Sequence, residues 1–353
     1  MKDLHDFYKG KRVLITGHMG FKGTWLCVLL THLGAKVIGY GLPNDVTPEV
    51  YKISGVNEKI TSLTADVRDL STMQYAFNEY KPEIVFHLAA QPIVLTGYKD
   101  PVTTYTTNVV GTLNLMECVR TSDFVKSVVN ITTDKVYRNT ETGNAFKEDD
   151  VLDGIDPYSN SKSCSELVTA TYIRSFLKDK AIAVSTARAG NVLGGGDFSD
   201  NRIIPDCIRA QANDGEIVLR NPDSVRPYQH VLEALYGYLL IAMNQYEDIK
   251  YAGSYNIGPD IENCLKTKEV AELFCKVWGG KAHVTVSGNV NAPKESGLLR
   301  LDCTKFDNTF GKVKKLSVEE TIRMIVDWEK AYESGATMYD VFVKQIEEYL
   351  SYV

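Results

Sequence analysis

The sequence predicts an α/β protein whose larger part is a doubly wound parallel sheet, joined to a smaller, discontinuous α/β domain. Three observations carry this. Short apolar runs alternate with helical stretches through the first half, a glycine turn joins the first run to the first helix, and the rhythm breaks after Arg188. The chain has 353 residues, 44% of them hydrophobic, which is longer than one compact core usually runs, so two domains are expected.

Arg12–Thr16 (RVLIT) reads as a short buried strand. Residues 23–33 then carry Trp25, Leu26, Leu29, Leu30 and Leu33 at helical spacing, and Gly34 stops the helix. Residues 36–40 (KVIGY) form a second strand. Further strands at 59–64, 83–88, 127–131 and 183–187 alternate with helical segments around 70–80, 104–121 and 159–177. Such a β-α repeat places its ligand at the carboxyl ends of the strands. Past Arg188 come the cluster Gly194-Gly195-Gly196, shorter elements, and helix-like stretches at 231–244, 267–277 and 318–333. The expected division is a first domain of residues 1–188 rejoined by about 229–250, and a second of 189–228 and about 251–353.

A formal charge of −6 and a pI near 5.6 argue against a nucleic-acid or membrane-surface partner. An anionic ligand must then be met by local basic groups. The seven cysteines show neither a CxxC pair nor metal-ligand spacing, so they read as reduced, buried residues and no metal is expected. Residues 1–11 are polar, with no apolar leader, and no apolar run reaches the length of a membrane span, which makes the cytoplasm the expected location.

Gly17, Gly20 and Gly23 lie between the first strand and first helix. Glycines there allow a tight turn, let backbone approach a pyrophosphate and permit close helix–sheet packing, the Rossmann arrangement for a dinucleotide. The GxxGxxG spacing points to short-chain dehydrogenases. The second strand ends in Gly39-Tyr40-Gly41-Leu42, with no acid to hold the adenosine ribose, so NAD against NADP stays open at this point. His18 and Lys22, inside the turn, are candidates to lie near that ribose and favour a 2′-phosphate, and Asp66-Val67 to flank the adenine.

Tyr158 and Lys162 stand four residues apart, on one face of a helix. A phenol with a pKa near ~10 needs roughly 3 units of depression to act as a base at neutral pH, and a nearby ammonium supplies energy of that order. Thr133-Asp134-Lys135 follows the strand ending at Ile131, where such sheets place their chemistry; Thr133 is positioned to hydrogen-bond the substrate hydroxyl and Tyr158. His87 and His230 read as structural.

Together with Ala89-Ala90-Gln91-Pro92 and Asn108, these motifs resemble the extended short-chain dehydrogenase/reductases that act on nucleotide sugars. GHMGFKGTW, HLAAQPIV, DPYSNSK and RAGNVLGGGD are closer still to the CDP-glucose 4,6-dehydratases, and RPYQHVLEALYGYLL and LRLDCTK extend the likeness across the chain. The resemblance implies a nucleotide-sugar substrate, an NAD cofactor held by residues that include Phe21, Ala89, Ala90, Gln91 and Asn108, and a homodimer or homotetramer. It implies that Tyr158 removes the 4-hydroxyl proton during oxidation at C4, that Asp134 protonates the departing 6-hydroxyl, and that Lys135 stands where related dehydratases carry a Glu as C5 base. Asn191, Arg202, Arg220, Arg226 and Arg300 are implied contacts to the phosphates and sugar. Tyr228 and Pro293-Lys294-Glu295 depart from the group's Trp and Pro-His-Glu. A 4-epimerase or C4 oxidoreductase is the alternative, and the Asp134-Lys135 pair favours elimination over it.

Overall fold

Four fully or nearly buried strands form the middle of the larger sheet because helices cover both faces, which is why they read as unbroken apolar runs. The computed structural model describes residues 3–43, 49–139, 143–200, 202–212, 215–219, 221–280, 282–286 and 299–353. Arg220 and residues 293–295 lie outside the described residues. In chain order the strands are β1 (Arg12–Thr16), β2 (Lys36–Gly41), β3 (Thr61–Thr64), β4 (Ile84–His87), β5 (Ser127–Ile131), β6 (Ala183–Ala189), β7 (Asn191–Leu193), β8 (Glu216–Leu219), β9 (Val225–His230), β10 (Ser254–Ile257), β11 (Cys264–Lys266) and β12 (His283–Val286). The helices before residue 200 are α1 (Leu4–Tyr8), α2 (Phe21–His32), α3 (Val50–Ile53), α4 (Leu70–Tyr80), α5 (Val94–Lys99), α6 (Pro101–Tyr105), α7 (Gly111–Thr121) and α8 (Pro157–Tyr172). Those after it are α9 (Ile203–Ala212), α10 (Val231–Glu247), α11 (Thr267–Trp278), α12 (Thr304–Phe310), α13 (Val318–Glu333) and α14 (Met338–Leu350).

The large sheet has seven strands in the order β10-β6-β5-β4-β1-β2-β3, all parallel. The chain runs outward from β1 to β3 and then returns to β4 on the other side of β1. The crevice at the carboxyl ends of β1 and β4 is therefore the switch point where ligands bind in such sheets. One apolar core, built around Trp25, Leu29, Tyr238 and Phe342, fills the face under α2, α10 and α14. A second, with Leu14, Phe77, Leu115 and Val128, fills the face under α4 and α7. A third, with Ile204, Ile217, Phe274 and Ile325, holds α9, α11 and α13 against the β11-β9-β7 and β12-β8 sheets.

Two segments depart from the expected domain division. Ser254–Ile257 pairs with β6 as the edge strand of the large sheet. Met338–Leu350 lays Met338, Phe342, Ile346 and Tyr349 into the core around Trp25. Both are recruited by partners far away in the chain, which local spacing does not reveal. The helix expected over 104–121 is also interrupted: residues 106–110 widen into a π turn that leaves Asn108 buried.

The glycine cluster after β7 is a packing device. A Cβ at Gly195 would meet the Trp328 ring at 2.2 Å, and the Gly195 carbonyl accepts a hydrogen bond from Trp25 Nε1 at 3.0 Å.

Beneath this face, Glu233 is buried in the first turn of α10, where its Oε1 accepts from the backbone N–H of His230 at 3.1 Å and of Leu316 at 3.4 Å. Burial pushes its carboxyl up to about 7, against Lys315 and those two amides. A raised native pKa means the unfolded chain loses this proton first, so stability falls as pH rises from the usual carboxylate range towards 7. Glu233→Gln keeps both accepted hydrogen bonds and removes the cost of ionisation. It is expected to stabilise the fold at pH 8 by on the order of 2 kcal/mol, seen as a higher thermal midpoint, and to gain little near pH 5. Unfolding scans at the two pH values check this.

Candidate active site

The turn after β1 is shaped by contacts only glycine tolerates. Gly17 has φ +73°, and a Cβ there would lie 2.7 Å from the Ala89 nitrogen; a Cβ on Gly23 would lie 2.1 Å from the Gly17 oxygen. Gly20, the N-cap of α2, has no side chain to occupy the first-turn amides, and the space where its Cβ would project is open apart from the Gly17 oxygen at 3.5 Å. A twelve-residue helix with free leading amides above a side-chain-free cradle fits a dinucleotide pyrophosphate. Ala89 and Gln91 arrive beside it from the end of β4. Asn108 is their clamp: its Oδ1 accepts from Gln91 N at 2.8 Å, and its Nδ2 donates to Gln91 O at 3.1 Å and Ser161 Oγ at 2.8 Å. It thus braces the loop that follows β4 against α8.

The His18 ring packs on Gly39, whose Cβ would fall 2.2 Å from it, and its Nε2 lies 2.7 Å from Ser62 Oγ. Burial pushes this imidazole down to about 4, so it is neutral at physiological pH and brings no charge to a 2′-phosphate. Asp66 is committed to Arg68 through contacts of 2.6–3.0 Å, and its carbonyl accepts from Tyr40 Oη at 2.9 Å. Val67 is buried against Gly111. Lys22 faces the other way: the charges it feels are those of Arg202 and Asp134, and after burial it settles at about 8.

The candidate catalytic residues converge at the end of β5 and the start of α8. Asp156 caps α8, accepting from Ser159 N at 3.0 Å, and Pro157 opens the helix, which sets Tyr158 in its first turn and Lys162 one turn on. Both side chains are buried, and Lys162 Nζ donates to the Ile131 carbonyl at 3.0 Å. Burial pushes Lys162 down to about 7, helped by Lys22 and opposed by Glu166. Burial lifts the Tyr158 phenol to about 12, and its hydrogen bond with Thr133 and the charge of Arg202 only partly offset this. Desolvating a phenolate costs more than these neighbours return, so an added cation is needed to make it a base.

Thr133 Oγ1 donates to Asp134 Oδ1 at 3.0 Å. Asp134 is 3% exposed, and its Oδ2 is buried without a hydrogen-bond partner. Burial raises its pKa against the pull of Lys135, Thr133, Arg226 and Lys22. The result is a carboxyl biased towards its protonated, proton-donating form. A Cβ at Gly190, which precedes β7, would come within 3.2 Å of that Oδ2, so glycine keeps the acid's edge clear. Sequence reasoning passed over this glycine because a lone Gly carries no local signal.

The substrate-side residues divide. Arg226, buried on β9, lies within the field of Asp134, and Arg202, held 3.6 Å from Asp197, lies within that of Lys22 and Tyr158. Asn191 opens β7 and pairs with Tyr228 on β9. Tyr228 itself is a core residue of the second domain, 2% exposed, with its hydroxyl 3.4 Å from Thr267 Oγ1. Arg300 is half-buried, with its Nε buried and without a hydrogen-bond partner; its carbonyl accepts from Phe146 N at 2.9 Å, and its charge reaches Cys264 on β11. His87 is a buried neutral strut, with Nδ1 2.7 Å from Thr16 Oγ1 and Nε2 3.2 Å from Thr112 Oγ1. Among the described residues there is no metal-ligand cluster and no helix long and apolar enough to cross a membrane.

Comparison with known proteins bears on this geometry. The chain is 40% identical over 352 residues to a CDP-glucose 4,6-dehydratase of Salmonella typhimurium, covering 98% of each protein. Among solved structures it resembles a dTDP-glucose 4,6-dehydratase of Streptomyces venezuelae with NAD and TYD bound, at a TM-score of 0.79 and 20% identity, over 92% of this chain and 98% of that one. A UDP-glucose 4-epimerase of Thermotoga maritima shares the fold at a TM-score of 0.77 and 21% identity, over 91% and 99%. Residues 14–325 match the family described as GDP-mannose 4,6 dehydratase, and the chain belongs to that family.

Proposed function

We propose that the protein is an NAD-dependent CDP-glucose 4,6-dehydratase, converting CDP-D-glucose to CDP-4-keto-6-deoxy-D-glucose by oxidation at C4, loss of water across C5–C6 and return of hydride to C6. The observation that carries the reading is Asp134: a buried carboxyl with a raised pKa, hydrogen-bonded to Thr133 and flanked by Lys135, at the same strand end as Tyr158 and Lys162. Elimination needs a proton at the departing 6-hydroxyl, and a carboxyl whose pKa burial raises is suited to supply it. The near-full-length likeness to the Salmonella enzyme supports the choice of sugar nucleotide. The neutral His18 supports NAD over NADP.

Gly17, Gly20, Gly23 and the leading amides of α2 would hold NAD, which would supply the hydride acceptor for C4, the hydride donor for C6 and the positive charge of its nicotinamide. Tyr158 takes the 4-hydroxyl proton, with Thr133 holding the oxygen, and Lys162, fixed on the Ile131 carbonyl, gives the phenol a positive neighbour when it is protonated. The new 4-ketone acidifies the hydrogen at C5. Asp134 delivers a proton to the departing 6-hydroxyl, since hydroxide itself is a poor leaving group; Lys135 acts as the C5 base, which takes the C5 proton and returns one to C5 as hydride reaches C6, or it seats the sugar. Arg202 and Arg226, with Asn191 at the edge of β7, meet the anionic half of the substrate. The cytoplasm is the proposed location. A homodimer or homotetramer is the proposed assembly, supported by exposed apolar side chains, Val102, Leu113, Leu167 and Phe176, on α6, α7, α8 and the turn that follows.

The reading predicts that incubation with CDP-glucose yields a product lighter by one water, identified by mass, while NAD acts catalytically and no NADH accumulates. Stoichiometric NADH release would show a simple dehydrogenase.

Tyr158→Phe keeps the ring's packing and removes the base. Turnover is expected to fall by about 10²–10⁴-fold with the thermal midpoint little changed. Activity within a few-fold of the parent would take Tyr158 out of this role.

Asp134→Asn retains shape but donates no acidic proton. In a single turnover, reduced-cofactor absorbance is expected to rise and persist, because C4 oxidation proceeds and elimination stalls. Lys135→Met is expected to block solvent deuterium from C5 if Lys135 is the base. Near-parental formation of the 6-deoxy-4-keto product by both variants would place the acid and base elsewhere.

A further inference from the structure

One helical turn beyond Lys162 lies a buried ion pair that the chemistry above does not use. Glu166 and Arg188 are each 3% exposed. The guanidinium makes a bidentate contact, Nε to Oε1 at 2.8 Å and Nη2 to Oε2 at 2.9 Å. The same carboxylate accepts from Thr132 Oγ1 at 2.6 Å and Thr186 Oγ1 at 2.7 Å. One carboxylate thus ties together α8, the end of β5 and β6.

Two arms lead away from it. Thr132 joins Ile131, whose carbonyl receives Lys162 Nζ, to Thr133 and Asp134, so this hydroxyl fixes the backbone on which the acid sits. On the other side, Arg188 Nη1 donates to Tyr137 Oη at 2.9 Å, and Tyr137 Oη donates to Asn256 Oδ1 at 2.6 Å. Asn256 Nδ2 then donates to the carbonyls of Phe146, at 2.8 Å, and Asp302, at 3.1 Å. Phe146 pairs through its N–H with the Arg300 carbonyl. A buried ion pair gains little over an apolar pair of the same shape, because desolvation offsets the attraction, whereas its fixed geometry sets register.

We infer that Glu166 is a positioning residue with two separable duties: through Thr132 it sets Thr133 and Asp134 against Tyr158 and Lys162, and through Arg188, Tyr137 and Asn256 it sets the segment that carries Arg300. The first duty governs the chemical steps and the second governs substrate binding. The inference rests on the proposed function for the identity of the sugar nucleotide, and on the geometry alone for the division of labour.

Two near-isosteric variants separate the arms, Thr132→Val and Tyr137→Phe, each removing one hydroxyl. Steady-state kinetics are measured with whichever nucleotide-hexose of a panel the parent enzyme consumes. An error in the proposed substrate then shows in the parent and leaves the comparison readable. Thr132→Val is expected to lower kcat by about tenfold with KM within about twofold, the size of one hydrogen bond to a charged group. Tyr137→Phe is expected to raise KM by about fivefold with kcat within about twofold. Thermal midpoints of both variants should fall by similar small amounts. If both variants shift kcat and KM together in step with lost stability, or if Thr132→Val keeps the parental kcat, the network is structural only and the inference is overturned.

Discussion

The reversal of strand order between β1 and β4 is the constraint on which the site depends. In a parallel sheet all carboxyl ends face one edge, so each loop that follows a strand is delivered to the same side of the molecule. The glycine turn leaves β1, the Ala89–Gln91 loop leaves β4, and Thr133-Asp134-Lys135 leaves β5. Because the chain departs in opposite directions from β1 and β4, the loops part there and a crevice opens. Helix α2 points its amino end into that crevice, and α8 runs beside it with Tyr158 and Lys162 in its opening turns.

Burial then governs the chemistry. It acts on each ionisable group in the direction of neutrality: up for Asp134 and Tyr158, down for Lys162 and Lys22. Such a crevice shifts an acid and a phenol towards their neutral forms and weakens the hold of two amines on their protons. It waits for external charge to set its state, and a cationic nicotinamide and an anionic sugar nucleotide bring charge of both signs. The local clustering of Lys22, Lys135 and Arg226 near one carboxyl, with Arg202 within reach of Lys22, also reconciles an acidic protein with an anionic ligand.

The glycine positions illustrate how tightly the frame is drawn. At Gly17 and Gly23 the reason is approach between backbone segments, and at Gly195 and Gly190 it is the proximity of Trp328 and of Asp134. The first two are separated by a short turn and leave a spacing in the sequence. The other two answer to residues far away in the chain.

The sequence by itself determined the parallel sheet, the dinucleotide turn and the pair on α8, because each is encoded over a few residues: apolar runs of strand length, glycines three apart, and Tyr158 four positions before Lys162. It also marked Thr133, Asp134 and Lys135, since the end of a strand is legible locally. Only the tertiary structure decided that Lys22 turns towards Asp134, that His18 is neutral against Gly39, that Asn108 braces the Gln91 loop, and that Ser254–Ile257 and Met338–Leu350 complete the first domain. It alone showed that Tyr158 begins well above its ordinary pKa and that Glu166 joins the catalytic helix to β5 and β6. Each of these turns on desolvation or on a contact between distant segments, and both come into being only when the chain has closed around them.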